Sequence, residues 1–342
     1  MPIFDAHLDL AYLAETGRDL HAPPEFSPGR HRPAAVTLPA LRDAGVTTVL
    51  GTIFTEPSPE PPGAFAYPPG DTDAAYRAGM RQALLYRAWR DAGLVRYLSP
   101  RAEALRPAPQ PATQPADHQP IALGVLVENA DPIPSADELD AWLDLGVVAI
   151  GLTWSLDNRY ACGNATEDDS GLTPLGRDLV DRMAAERVVP DLSHLSDRSL
   201  QQLLERTDDL VVATHSNCRA LLDDDMRHLT DETIREIARR GGVVGLNLYS
   251  GFLDSKHMRS GRATIDDCVR HVEHVCGLVG STAHIGLGSD LDGGFDATHL
   301  PRGIDRPTDL AKLFEALAGN GWSEDDLDAF THRNWRRVFQ SD

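Results

Sequence analysis

The chain has 342 residues, 42% of them apolar, enough to bury a large core. Its 52 acidic against 32 basic side chains give a formal net charge of −20, a field that repels phosphate backbones and argues against a nucleic-acid partner. No apolar run reaches the roughly 18 residues that a membrane-spanning helix requires.

In chain order, Met1-Pro2-Ile3-Phe4-Asp5 enters a strand at once, with no basic or apolar leader region. No signal peptide, no membrane contact and a cytoplasmic location are therefore expected. Strands are predicted at Ile3–His7, Val46–Phe54, Ile121–Glu128, Val147–Thr153, Val188–His194, Leu210–His215, Val243–Leu248 and His284–Asp290. Helical periodicity fills most of the intervals, at Ala74–Ala92, Ala136–Asp144, Pro174–Arg187, Arg198–Arg206, Asp231–Arg240 and Ile265–Val279. Thr173-Pro174 and Thr230-Asp231-Glu232 read as helix starts. Residues 22–33, 57–70 and 107–120 are proline-rich loops, and helices from about Thr308 to Phe339 should cap the barrel. Strands alternating with helices imply a parallel sheet, and eight of them favour a closed (β/α)8 TIM barrel, one domain over residues 1–342.

Chemistry shows in where the polar residues fall. Most of the apolar runs end in a metal-ligand type: Asp5-Ala6-His7-Leu8-Asp9, Val127-Glu128, Asp191-Leu192-Ser193-His194, Ala213-Thr214-His215 and Gly288-Ser289-Asp290-Leu291-Asp292-Gly293. Strand alternation puts His7 and Asp9 on one face. In a parallel barrel all these ends meet at one mouth, where catalytic residues sit. Imidazole and carboxylate suit Zn²⁺, and three histidines with three carboxylates exceed the needs of one ion, so two metals sharing a bridging carboxylate are expected. A carboxylated lysine is excluded as the bridge, because lysine occurs only at Lys256 and Lys312. Glu128 is the best bridge available.

These segments, with Gly151-Leu152-Thr153-Trp154, Gly171-Leu172-Thr173-Pro174-Leu175-Gly176, Thr214-His215-Ser216-Asn217, Arg227-His228-Leu229-Thr230-Asp231-Glu232 and Gly241-Gly242-Val243, resemble the membrane dipeptidase (renal dipeptidase) family of the amidohydrolase superfamily. They follow the family's order from about residue 3 to 294. The resemblance implies a binuclear zinc dipeptidase, acting on dipeptides that include L-Xaa-D-Xaa through a metal-bridging hydroxide. It implies His7, Asp9 and Glu128 on one zinc with Asp290 alongside, and Glu128, His194 and His215 on the other. It makes Asp290 the proton carrier and Arg227 the grip on the substrate carboxylate. Trp154 stands where mammalian members have a substrate-contacting histidine, and Ala161-Cys162-Gly163 where the family has Ala-Asp-Gly. The expected partners are a small peptide and, in a homodimer, a second copy of the chain.

Plainer readings exist for several residues. Arg227 also fits a surface ion pair among Asp223, Asp224 and Asp225, the better reading without the resemblance. Trp154 reads equally as core or as pocket lining. His271 and His274, beside Cys268 and Cys276 on one amphipathic helix, lack zinc-motif spacing and read as structural, and none of the cysteines, Cys162 and Cys218 included, forms a CxxC pair. The alternatives to a dipeptidase are a related hydrolase of N-acyl amino acids or lactams, and a non-catalytic metal-binding relative.

Overall fold

Ile3-Phe4-Asp5-Ala6-His7-Leu8 is buried at every position and forms the first strand, β1 (Ile3–Leu8). The remaining strands along the sheet path are β2 (Val46–Ile53), β3 (Ile121–Val127), β4 (Val147–Gly151), β5 (Val189–Asp191), β6 (Val244–Leu246) and β7 (Ile285–Leu287). The structure is a computed structural model that describes residues 1–27, 29–105, 119–257 and 261–340. All seven strands run parallel, in the order β5-β4-β3-β2-β1-β7-β6. Residues 212 and 213 join the two edges through bridges Asp191↔Val212 and Ala213↔Val244, which curls the sheet into a barrel of the TIM type. A short strand, Val95–Tyr97, lies against the start of β3, and Glu56–Pro57 pairs with Ala66–Tyr67 inside the loop expected at 57–70. The loop expected at 107–120 falls, apart from its last two residues, outside the described residues.

The later strands are shorter than the apolar runs suggest, and the cause is local. Asp191 Oδ1 takes the backbone N–H groups of Ser193 and Thr214, at 3.1 and 2.9 Å. Asp5 Oδ1 takes that of Ser289 at 2.8 Å. Donors that would extend the ladder are thus diverted to buried carboxylates, and β5 also contains Pro190, which has no N–H. The expected strand Leu210–His215 is reduced to isolated bridges.

β1 also departs from plain alternation. Asp5 pairs with Val49 but Leu8 pairs with Gly51, so one extra residue sits on β1. Asp9 lies beyond the strand, where it precedes helix Leu10–Glu15 with φ −79° and ψ 47°. His7 and Asp9 do approach each other, His7 Nε2 to Asp9 Oδ1 at 3.8 Å, but through this bulge and turn rather than through strand alternation.

Thr173 and Thr230 cap helices Pro174–Glu186 and Asp231–Arg239, accepting from the N–H groups of Gly176 and Thr233. Ala136–Asp144 divides into a 3-10 turn, Ala136–Glu138, and helix Leu139–Leu143. Helices Leu10–Glu15, Leu38–Asp43 and Pro100–Ala104 are too short to show a clear period in the sequence. At the far end, Trp335 on helix Asn334–Phe339 packs with Phe4, Ala6, Leu50, Leu126, Ala149, Val212 and Val243. Strands that are not neighbours meet there only across the barrel interior, so Trp335 plugs the end remote from the strand carboxyl termini. Its indole N–H donates to Leu287 O at 2.9 Å. Among the described residues no helix is long and apolar enough to cross a membrane.

Candidate active site

The carboxyl ends of the strands bring His7, Asp9, Glu128, His194, His215 and Asp290 together, all buried. Glu128 Oε1 lies 3.7 Å from His7 Nε2, 3.3 Å from His194 Nε2 and 3.4 Å from His215 Nε2. His194 Nε2 and His215 Nε2 are 2.9 Å apart. Ligand atoms of His7, Glu128 and His215 fall within 4.8 Å of one another, as do those of His7, Asp9 and Asp290. Those two groups share His7; Glu128 belongs to the first only.

His194 and Asp290 adopt φ of +67° and +57°. Such left-handed conformations are costly outside glycine and aim side chains that a continuing strand would point elsewhere. A Cβ on Gly245 or Gly288 would collide with the carbonyl oxygen of Thr214, so these glycines let the Thr214 backbone come in close.

Thr214 sets the state of the histidines. Its hydroxyl donates to Asp191 Oδ2 at 2.5 Å, which uses its single proton. Toward His215 Nδ1 at 3.0 Å, and more weakly toward His7 Nδ1 at 3.4 Å, the same oxygen can only accept. The proton of each ring is thereby placed on Nδ1, which leaves Nε2 as a lone pair. His194 Nδ1 stands 3.4 Å from Ser155 Oγ. Burial, and then the charge of Arg227, lower the pKa of His7 and His194 well below the usual value, and burial followed by His7 does the same for His215. Burial, with Asp9 next, raises the pKa of both Glu128 and Asp290 well above the carboxylate range.

The Nε2 lone pairs of His7 and His215 both face Glu128 Oε1, which even as a carboxylic acid could satisfy only one of them. Glu128 Oε2 is buried without a hydrogen-bond partner. Divalent cations resolve both problems, so the donor set fits metal ions with histidine and carboxylate ligands. Asp9 Oδ1 accepts from the hydroxyl of Thr52, and Asp290 Oδ2 accepts from Asn247 Nδ2 at 2.9 Å.

Arg227 is not in a surface ion pair. It is 5% exposed, and only its backbone N–H reaches Asp225. Its guanidinium donates to Ser216 Oγ at 2.7 Å and His215 O at 2.9 Å, and lies 5.4 Å from the centre of the Phe252 ring. Its Nε is buried with no acceptor. Trp154 is half-buried, edge-on to Phe54 at 5.3 Å and 6.0 Å from the ring of His194. Both residues line one cavity of about 480 Å³, with Asp9, Glu128, His194, His215 and Asp290 on its floor. His271 and His274 lie elsewhere: His271 Nδ1 accepts from Cys218 N, and His274 Nε2 meets Asp231 at 2.8 Å.

Sequence reasoning missed the supporting shell. Asp5, Asp191, Thr214 and Asn247 hold the clustered residues in place. The signal for the first two was present, since Asp5 and Asp191 stand two and three positions before His7 and His194. Asn247 sits one residue past β6 with nothing in the local pattern to mark it.

A parallel barrel with histidines and carboxylates gathered at its strand ends defines a metal-dependent hydrolase of the amidohydrolase type. The chain belongs to the membrane dipeptidase family, peptidase family M19, whose family model matches residues 1–341. A Klebsiella pneumoniae protein encoded in the pqqA 5′ region, itself uncharacterised, is 32% identical over 210 residues, 60% of this chain and 75% of that one. An uncharacterised dipeptidase of Schizosaccharomyces pombe is 32% identical over 205 residues, 59% of this chain and 48% of its own. The chain spans about half the length of most of the curated relatives it matches. A Rhodobacter sphaeroides metallopeptidase, solved with a phosphinate mimic of the dipeptide L-Ala-D-Ala, superimposes with a TM-score of 0.79 at 26% identity, covering 99% of both chains.

Proposed function

We propose that the protein is a zinc dipeptidase with two metal ions. His7, Asp9 and Glu128 would hold one ion with Asp290 alongside, and Glu128, His194 and His215 the other. The central place of Glu128 Oε1 among three Nε2 atoms, and the unpartnered Oε2, support Glu128 as the shared ligand. When bound, the ions would acidify a water and polarise the scissile carbonyl. Asp290, held by Asn247, takes the nucleophile's proton and returns it to the leaving amine.

Arg227 carries the choice of substrate. A buried guanidinium beside the ligand cluster has no carboxylate within ion-pair distance among the described residues, and its Nε lacks an acceptor. The substrate's C-terminal carboxylate supplies the missing anion. That restricts cleavage to a bond next to a free C-terminus, and L-Xaa-D-Xaa dipeptides belong in the substrate panel.

The test compares a dipeptide with its C-terminal amide. Loss of the charged contact should lower kcat/KM by about 1.5–3 kcal/mol, roughly ten- to a hundredfold. Arg227→Met should erase most of the difference. Equal rates on acid and amide in the unaltered protein would remove the clamp.

A further inference from the structure

The cavity has two separate aromatic walls. Tyr12, Phe54, Phe65 and Trp154 contact one another on one side. Tyr249, Phe252 and Phe295 form the other, and Arg227 lies against Phe252. No ring contact joins the two sets among the described residues. The carboxylate grip therefore belongs to the second wall. The first wall carries a charge that the proposed chemistry does not use.

That charge is Glu56. Of the four carboxylates lining the cavity, Asp9, Glu128 and Asp290 belong to the cluster on the floor, and Glu56 alone stands apart. Its carboxylate has no hydrogen bond or close ion pair among the described residues. Burial pushes its pKa up, and the exposed Arg30 guanidinium, also on the cavity rim, works against that shift from beyond ion-pair distance.

The backbone that presents Glu56 is fixed. Gln82, buried, receives the Phe54 N–H at 2.9 Å and donates to Phe54 O at 2.6 Å. Asn129 donates to Thr55 O at 2.8 Å, and Glu56 N donates to Phe65 O at 3.4 Å. An unpartnered carboxylate carried by a fixed backbone on a half-dry wall suits a small cation.

We propose that Glu56 binds the substrate's N-terminal ammonium, on the aromatic wall that does not carry Arg227, so that the enzyme selects zwitterionic dipeptides and discriminates against N-acylated ones. This inference rests on the dipeptidase reading and deepens it. With the floor carboxylates engaged in the cluster, Glu56 is the one remaining anion in the cavity for the ammonium to meet.

The experiment uses metal-loaded protein with L-Ala-D-Ala and its N-acetyl derivative. The unaltered protein should favour the free amine by about tenfold or more in kcat/KM, as for a hydrogen bond to a charged group. Glu56→Gln should shrink that ratio toward one, mainly through a higher KM for the free amine. A phosphinate dipeptide mimic, with and without an N-acetyl cap, gives the same comparison as an inhibition constant, independent of turnover. Equal use of both substrates by the unaltered protein, or a preference that survives in Glu56→Gln, overturns the assignment and leaves the dipeptidase reading intact. Cleavage of neither substrate overturns the dipeptidase reading itself, and this inference with it.

Discussion

Replacing Thr214 by valine tests the claim that the barrel interior, and not only the ligands, prepares the site. Valine matches the shape but removes the hydroxyl. Asp191 Oδ2 then loses its donor at 2.5 Å, and His215 Nδ1 loses its acceptor at 3.0 Å. Each is buried, and a buried polar group left unpaired costs about 1–3 kcal/mol. Part of that cost falls on the metal-free fold. At roughly 2–4 °C per kcal/mol for a large domain, the melting temperature of the chelator-treated protein should drop by several degrees. The rest falls on the ligand set, because His215 is no longer held with its proton on Nδ1. Losing a partner that orients a ligating imidazole weakens metal affinity by about ten- to a hundredfold. Competition against a chromogenic chelator measures that affinity directly. Thr214→Ser restores the hydroxyl and should recover most of it. If Thr214→Val lowers the melting temperature yet binds Zn²⁺ within twofold of the unaltered protein, the hydroxyl is merely structural and the tautomer argument is wrong.

Two further outcomes follow from the geometry. Reconstitution with Zn²⁺ should approach two equivalents; Glu128→Ala should impair both sites while His194→Ala spares one, and tight retention of two ions by Glu128→Ala would show that the bridge lies elsewhere. Asp290→Asn keeps the shape and removes the proton acceptor, so kcat should fall by about 10² or more, and a near-normal kcat would take Asp290 out of the proton path.

The ligand types were legible in the sequence because a parallel barrel turns strand ends into neighbours. Six residues spread from His7 to Asp290 needed no other information to be grouped. Their approach was not legible, because it depends on where strands stop. β1 acquires an extra residue, β5 and β7 end early on side-chain carboxylates, and His194 and Asp290 leave the strand geometry with positive φ. These are responses to buried carboxylates that period-two reasoning treats as ordinary strand residues. Arg227 shows the same limit in another form. Three aspartates just upstream of it, Asp223 to Asp225, suggest a surface pair, whereas the chain turns the guanidinium inward to Ser216 and the His215 carbonyl.

The division between barrel and loops explains why family membership says more about chemistry than about substrate. The imidazoles of His7 and His215 share the Thr214 hydroxyl, which is held in turn by the buried carboxylate of Asp191. A change there disturbs several buried groups at once, so the metal chemistry has little freedom to drift. Trp154, Glu56 and Tyr249 stand beyond the barrel strands, on segments held by a few side-chain to backbone bonds such as those from Gln82 and Asn129. Their side chains can be exchanged without leaving a buried carboxylate unpaired. Trp154 is the clearest instance. Its indole is a donor only, and it packs edge-on to Phe54 rather than joining the histidine network by a hydrogen bond. In place of a histidine it lengthens the aromatic wall that leads to Glu56. That wall makes the Glu56 side of the cavity more apolar, and a lone carboxylate there discriminates more strongly than it would in a wet site.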